Sequence, residues 1–277
     1  MSSDALRLDT ALVKRGLAPT RERAQGLIQA GLVYVNGAPA RKNAFGVAIG
    51  DDIQVLGDDL PYVSRGALKL KRALEVFAID PTGCVAMDIG ASTGGFTEVL
   101  LENGARRVYA VDVGTNQLHE KLRRDARVIV MEQTNARLLT RDSFPEQVQL
   151  GVMDVSFISV LLVLPALFRI LEPEGRMVAL IKPQFEAGRS ALNHKGIVTD
   201  RAKHMEVLAR VCAFMHEQGW RVEGIAPSPI EGSAVYREYL MSMAMGSAGN
   251  PPEKAELRQC VYEDKGFQFH SKHSIEM

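Results

Sequence analysis

Cysteine is scarce. The chain has three, Cys84, Cys212 and Cys260, far apart. An odd count without short spacing offers neither a disulfide framework nor a zinc-ligand pattern, so a reducing, cytoplasmic setting without a metal site is expected. Long apolar runs are also missing. The longest, residues 157–171, is broken by Pro165 and Arg169 and is too short to span a bilayer, so no membrane partner is expected. The opening MSSDALRLDT lacks a basic start followed by an apolar core, so no signal peptide is expected. Charge of one sign is absent too: 33 Lys and Arg balance 33 Asp and Glu. Neutrality argues at first sight against a nucleic-acid partner.

The distribution of charge changes that reading. Residues 1–45 carry seven cations (Arg7, Lys14, Arg15, Arg21, Arg23, Arg41, Lys42) against three acids (Asp4, Asp9, Glu22), a surplus of +4. A second basic group, Arg65, Lys69, Lys71 and Arg72, follows, with Asp51, Asp52, Asp58 and Asp59 between. A neutral total can therefore hide a basic face. An ordinary solvated surface explains the charges equally well on their own.

The first sixty residues pattern as a small domain. Leu6, Leu8, Ala11, Leu12 and Val13 predict a short helix that Gly16 can end. Thr20 is a candidate N-cap for a second helix with Ala24, Leu27 and Ile28 on one face, stopped at Gly31. Leu32–Val35 followed by Asn36-Gly37 predicts a strand entering a tight hairpin, and another strand is expected over 53–56. The strings RLDTALVKRGL and TRERAQGLIQAGLVYVNG resemble the S4 RNA-binding module of ribosomal proteins, over residues 6–56. The resemblance implies that a helix pair lies on structured RNA. It makes Arg7, Lys14, Arg15, Arg21, Arg23 and Lys42, with Arg65 beyond them, candidate phosphate contacts. Such contacts position a protein on RNA and make its affinity salt-dependent.

From residue 84 onward, apolar β-rich runs alternate with helical patterns. Strands are expected over 84–89, 107–113, 128–131, 150–155, 176–181, 220–225 and 238–243. A helix is expected over 201–218, with Met205, Leu208, Val211, Cys212 and Met215 on one face. This alternation predicts a doubly wound α/β sheet, and the last two strands, joined only by a loop, predict an antiparallel edge strand. The first strand ends DIG and runs into ASTGG, residues 90–95 being Gly90, Ala91, Ser92, Thr93, Gly94 and Gly95. Small residues there let the backbone approach a ligand at the carboxyl edge of the sheet. Asp112 ends the second strand, where an acid can bind ribose hydroxyls. The turn is not G-x-G-x-x-G, which disfavours a dinucleotide. It resembles the S-adenosylmethionine site of class I methyltransferases.

Four polar residues stand at strand ends or in the basic entry helix: Lys69 in SRGALKL, Asp154 in VMDVSFIS, Lys182 in LIKPQFE and Glu238 in YREYL. Singly, Lys69 reads as well as a solvated helix lysine, Asp154 as a helix cap and Glu238 as an edge-strand surface residue. Together they resemble the Lys-Asp-Lys-Glu tetrad of FtsJ-type ribose 2′-O-methyltransferases. VSRGALKL, DIGASTGGFTEVLL, DVSFIS and KPQFE resemble the TlyA (haemolysin A) family, over residues 6–245. That resemblance implies a ribosomal RNA methyltransferase acting on the ribose of cytidine, with ribosomal RNA or ribosomal subunits as partners. It implies catalytic roles for the four residues. It also implies cofactor contacts from Gly90–Gly95, Asp112, Asn135 and Asp154. The chain departs from the family at Val235 and Tyr236, which stand where Gly-Asn usually precedes the glutamate.

The expected organisation is an S4-like α+β domain over 1–60 and a linker over 61–65. A Rossmann-like class I methyltransferase domain follows over 66–246, and then a weakly ordered, dispensable tail over 247–277. Two other functions fit parts of the sequence. One is a non-catalytic RNA-binding assembly factor, against which the glycine turn and both lysines argue. The other is a membrane-active haemolysin, for which no spanning or strongly amphipathic basic helix is seen.

Overall fold

The computed structural model describes residues 6–29, 31–55, 62–229, 237–246, 251–263 and 266–268. The chain divides into two compact units, residues 1–65 and 66–277.

The first unit runs β1 (Leu6–Arg7), α1 (Leu8–Lys14), α2 (Arg21–Gln29), β2 (Val33–Val35), β3 (Ala38–Pro39), β4 (Gly46–Val47) and β5 (Ile53–Val55). Thr20 caps α2 by accepting the Arg23 N–H at 3.1 Å, as its short hydroxyl side chain allows. Asn36 and Gly37 both take positive φ (51° and 78°), which the tight turn between β2 and β3 demands. β2 pairs antiparallel with β3 on one side and β5 on the other. β1 and β4 form a separate antiparallel pair. The core is small: Leu8, Leu12, Leu27 and Ile28 from the helices meet Val33, Val35, Val47 and Ile53 from the strands.

The second unit opens with α3 (Gly66–Val76), then β6 (Val85–Ile89), α4 (Gly95–Glu102), β7 (Arg107–Val111), α5 (Glu120–Arg123) and β8 (Val128–Met131). It continues with β9 (Val148–Met153), α6 (Leu164–Phe168), β10 (Leu171–Ile181), α7 (Pro183–Glu186), α8 (Arg201–Glu217), β11 (Trp220–Pro227), β12 (Tyr239–Met245), α9 (Lys254–Tyr262) and β13 (Phe267–Gln268). Among the described residues the strands form one sheet of eight, ordered β13-β11-β12-β10-β9-β6-β7-β8. The five strands from β10 to β8 are parallel. β6 is buried along its whole length, as a central strand covered on both faces must be. The strand order reverses between β6 and β9. In open α/β sheets that reversal opens a crevice at the carboxyl ends of the strands.

The last two expected strands are antiparallel neighbours, as their loop connection implies: β12 lies between β10 and β11 and is antiparallel to both. The antiparallel strand at that edge of the sheet is β13, paired with β11. One expectation needs correction. The tail is not weakly packed where it is described. α9 buries Leu257, Cys260 and Val261 in the main core, and β13 pairs with β11. Arg201 Nη1 donates to the carbonyls of Val261 (3.2 Å) and Tyr262 (3.1 Å). The expectation of a weakly ordered tail failed because α9 has only nine residues and offers three buried side chains, too few to register as a periodic pattern. The remaining tail residues, 247–250, 264–265 and 269–277, lie outside the described residues.

α8 is capped by Asp200, whose side chain accepts the Ala202 N–H at 2.8 Å. Its buried face includes His204 ahead of Leu208, Val211, Cys212 and Met215, while Met205 is only partly buried. No helix among the described residues is long and apolar enough to cross a membrane.

Candidate active site

The glycine turn sits at the strand-order reversal, where two backbones nearly touch. A Cβ on Gly90 would lie 2.7 Å from the backbone oxygen of Asp154, and Gly90 has φ +82°, so both space and conformation demand glycine. Gly94, with φ +98°, caps α4 beneath Leu118 and Leu122, which a side chain would strike. Between them Ser92 is also left-handed (φ 48°). Its amide donates to Asp112 Oδ2 at 2.8 Å, and the Gly114 amide donates to Oδ1 at 2.7 Å. Asp112 therefore fastens the turn after β6 to the turn after β7. Ala91, Thr93 and Gly95 are buried behind this ridge. Asn135 is exposed; its side-chain oxygen accepts the Arg137 amide (3.1 Å) and caps a short 3₁₀ turn over Ala136–Leu138.

Two acids that sequence reasoning did not single out complete this edge. Asp88 in β6 is fully buried. Its Oδ2 accepts from Thr97 Oγ1 at 2.7 Å, while Oδ1 has no hydrogen-bond partner among the described residues. Burial pushes the carboxyl up to about 7, against the Thr97 hydrogen bond that favours its ionised form. Glu132, just past β8, accepts the amides of Asn116 (2.7 Å), Gln117 (2.9 Å) and Leu118 (3.1 Å) and pairs with Arg123. The Arg123 contact, with those amides, holds its carboxyl at about 2 despite partial burial. The acid of the D-x-G turn was the available signal for Asp88. Nothing local marks Glu132, because the amides it gathers are 14 to 16 residues away and Arg123 is nine.

The four polar residues from separate motifs meet beside the turn. Lys69, in the first turn of α3, sends Nζ to Glu238 Oε2 at 2.7 Å and to Asp154 Oδ2 at 3.3 Å. Lys182, at the end of β10, lies 2.5 Å from Asp154 Oδ1 and donates to Ser156 Oγ at 2.9 Å. Two lysines thus flank Asp154, with Glu238 on Lys69, all largely withdrawn from solvent. Burial opposes the charge on Asp154, but the facing Lys69 and Lys182 ammoniums outweigh it and hold the carboxyl below its usual range. Burial likewise opposes the charge on Lys69. Asp154 and Glu238 overcome it and raise the ammonium above its ordinary value, leaving Lys69 a fixed cation. Val235 and Tyr236, where the chain departs from the family pattern, lie outside the described residues; Glu238 is nevertheless seated on Lys69.

Glu186, the last residue of KPQFE, ties two motifs together. It accepts from Ser159 Oγ and from the Val160 amide, both at 2.7 Å, locking the loop that carries Asp154 and Ser156 to the one that carries Lys182. At the tip of that loop Phe157 is 92% exposed with φ +64°. Its ring lies 5.2 Å from that of Phe185. A bulky side chain in a left-handed conformation, held out into solvent, costs energy that packing does not return.

Residues 62–245 match the model of FtsJ-like methyltransferases, and residues 6–53 match the S4 domain. The chain belongs to the TlyA family. It is 45% identical over 236 residues to the 16S/23S rRNA (cytidine-2′-O)-methyltransferase TlyA of Mycobacterium tuberculosis H37Rv, covering 85% of this chain and 88% of that protein. Identity is also 45%, over 269 residues and 95% of each chain, to Bacillus subtilis YqxC, whose name provisionally designates an rRNA methyltransferase. The solved structure of a provisionally named hemolysin from Streptococcus thermophilus superposes with a TM-score of 0.77 at 43% identity. It covers 95% of this chain and 96% of its own. This TlyA-family chain is a methyltransferase with an FtsJ-like catalytic unit preceded by an S4 unit.

Within the S4 unit the candidate phosphate contacts differ in availability. Arg15 donates to the carbonyls of Asp51 (2.6 Å), Ala48 (2.8 Å) and Ile49 (3.1 Å), so its guanidinium is engaged by the 48–51 loop. Arg23 is buried. Lys14 and Lys42 are exposed, as are Arg7 and Arg21, while Arg65 is half-buried.

Proposed function

We propose that this enzyme transfers a methyl group from S-adenosylmethionine to a ribose 2′-hydroxyl of ribosomal RNA, in cytidine, with the S4 unit supplying RNA affinity. One observation carries the reading: Lys69, Asp154, Lys182 and Glu238 converge beside the glycine turn at the reversal of the sheet.

The residues present fit the cofactor. The unpaired, buried Asp88 Oδ1 suits an ammonium donor. Asp112 keeps acceptor capacity for ribose hydroxyls beyond its two amide bonds. Gly90–Gly95 bring bare backbone to the site, and Asn135 lies on the same edge. When bound, S-adenosylmethionine supplies an electrophilic methyl on a sulfonium.

The chain's own residues do the remaining work. A ribose hydroxyl is a weak nucleophile until its proton is leaving. Lys182 orients that hydroxyl, and its neutral amine, having first given up its ammonium proton to solvent, takes the hydroxyl proton at Nζ. Asp154 aims Lys182, and Lys69 stays charged between Asp154 and Glu238. Glu238 holds Lys69 and borders the ribose. Glu186 keeps the two loops in register, so the transfer is governed by alignment. Phe157 presents an exposed ring beside this centre, where a base can rest. Ribosomal subunits or RNA purified from cells lacking the gene, incubated with enzyme and labelled S-adenosylmethionine, should gain label in an alkali-resistant dinucleotide. Label released as a methylated base would overturn the ribose assignment.

A further inference from the structure

An acid sits at the middle of the S4 unit's cations, and its place there is unexplained by charge. Asp9, in the first turn of α1, has 0% exposure. Arg7 grips it with two prongs, Nε to Oδ1 at 3.1 Å and Nη2 to Oδ2 at 3.0 Å. Arg21 Nε reaches Oδ2 from α2 at 3.0 Å, joined by Gln25 Nε2 at 2.9 Å, and Thr10 Oγ1 donates to Oδ1 at 3.3 Å. Both oxygens are saturated by donors from the strand and from both helices. The two arginine side chains nonetheless remain 48% and 58% exposed.

We propose that Asp9 is a positioning residue that holds Arg7 and Arg21 as a paired-guanidinium clamp for one backbone phosphate of structured RNA. This rests on the S4 unit being the RNA-binding part of the enzyme. Both guanidiniums meet at Asp9 Oδ2, so they are neighbours with fixed planes. A guanidinium has five N–H donors. Arg7 spends two on Asp9 and Arg21 one, so seven of the ten remain, on side chains half open to solvent. The cluster keeps a net charge of +1 from two cations and one acid. A lone arginine must surrender rotamer freedom to grip a phosphate; one already held does not. The acid therefore weakens long-range attraction and improves the local fit.

These two effects have opposite signs, which makes the proposal testable. Binding of the full chain to in-vitro-transcribed large-subunit ribosomal RNA is followed by fluorescence anisotropy across a salt series. Asp9→Asn adds one unit of positive charge, so charge alone predicts tighter binding and a steeper salt slope. The clamp predicts the reverse: affinity about tenfold weaker and a salt slope shallower by about one, as for a lost phosphate contact. Should Asp9→Asn unfold the small unit, the double variant Arg7→Lys/Arg21→Lys decides. It keeps the charge at two half-exposed positions and removes the planar fork. It should also weaken binding about tenfold, with little further loss when Asp9→Asn is added. Tight wild-type binding together with equal or tighter binding by Asp9→Asn, or by the lysine pair, overturns the clamp alone. Absence of salt-dependent binding by wild type would overturn the RNA-binding reading and the clamp with it.

Discussion

Asp154 and Asp9 are built on one plan and put to different ends. Each is a carboxylate shared by two cations from different elements. Around Asp154 the cations are lysines with side chains 14% and 8% exposed; around Asp9 they are arginines half open to solvent. Lysine can exchange a proton and arginine cannot at any working pH. A buried lysine pair therefore suits proton transfer, and an exposed arginine pair suits recognition of a fixed anion. In the proposed roles, the residue type around the acid, more than the acid itself, separates a reacting centre from a gripping one.

Exchanging the cation types should break the comparison most sharply in the catalytic unit. Lys182→Ala should lower the single-turnover methylation rate by about 10²–10⁴-fold, the range for a positioned proton acceptor, with cofactor affinity spared. Lys182→Arg should not restore it. Near wild-type turnover by the arginine variant would show that the proton leaves by another route.

The buried centre also depends on a packed sheet, which the exposed pair does not. Leu257→Ala in α9 should cost about 3 kcal/mol of stability, the range for a buried leucine. Deleting residues 247–277 should lower the melting temperature of the catalytic unit. An unchanged melting curve would mean that α9 contributes nothing to the core.

Glu132 stands between the two cases, a carboxylate that gathers amides and one arginine to shape a loop. Glu132→Gln should cost about 2 kcal/mol near neutral pH, the scale of hydrogen bonds to a charged group. Its folded carboxyl lies at about 2, below the unfolded value. The stabilisation is therefore present above the unfolded value and lost as pH falls towards 2. Denaturant titrations of both proteins should differ at pH 7 and converge at acid pH; a constant gap would rule out the carboxylate as the cause.

The smallest effect concerns Asp88, an acid with no paired cation among the described residues. Its carboxyl is raised to about 7, so its contribution favours the ligand-free fold at low pH and is lost as pH rises through 7. Ionised Asp88 is also the form that accepts an ammonium. Calorimetry should show S-adenosylmethionine binding up to about tenfold tighter at pH 8 than at pH 6, the ceiling being the free energy of one proton. Asp88→Asn should flatten that dependence. An equally steep profile in the variant would assign the titration elsewhere.

The strands, the long helix, the glycine turn and the Asn36-Gly37 hairpin were legible in the chain because each depends on neighbouring residues. Side-chain alternation, helical period and positive φ are local properties. Candidate chemistry was legible for the same reason, as short motifs at strand ends. Pairing across long separations was not. Lys69 and Glu238 are 169 positions apart, and Arg21 reaches Asp9 across 12. No periodicity encodes the order of strands in a sheet, so the place of β12 between β10 and β11 was not legible. No local pattern shows that three side chains of α9 find a core to cover them. The sequence by itself determined which elements form and which residues can carry charge or a proton. Tertiary packing decided which of those charges meet, because only the closed fold sets the distances and excludes the water on which their interaction depends.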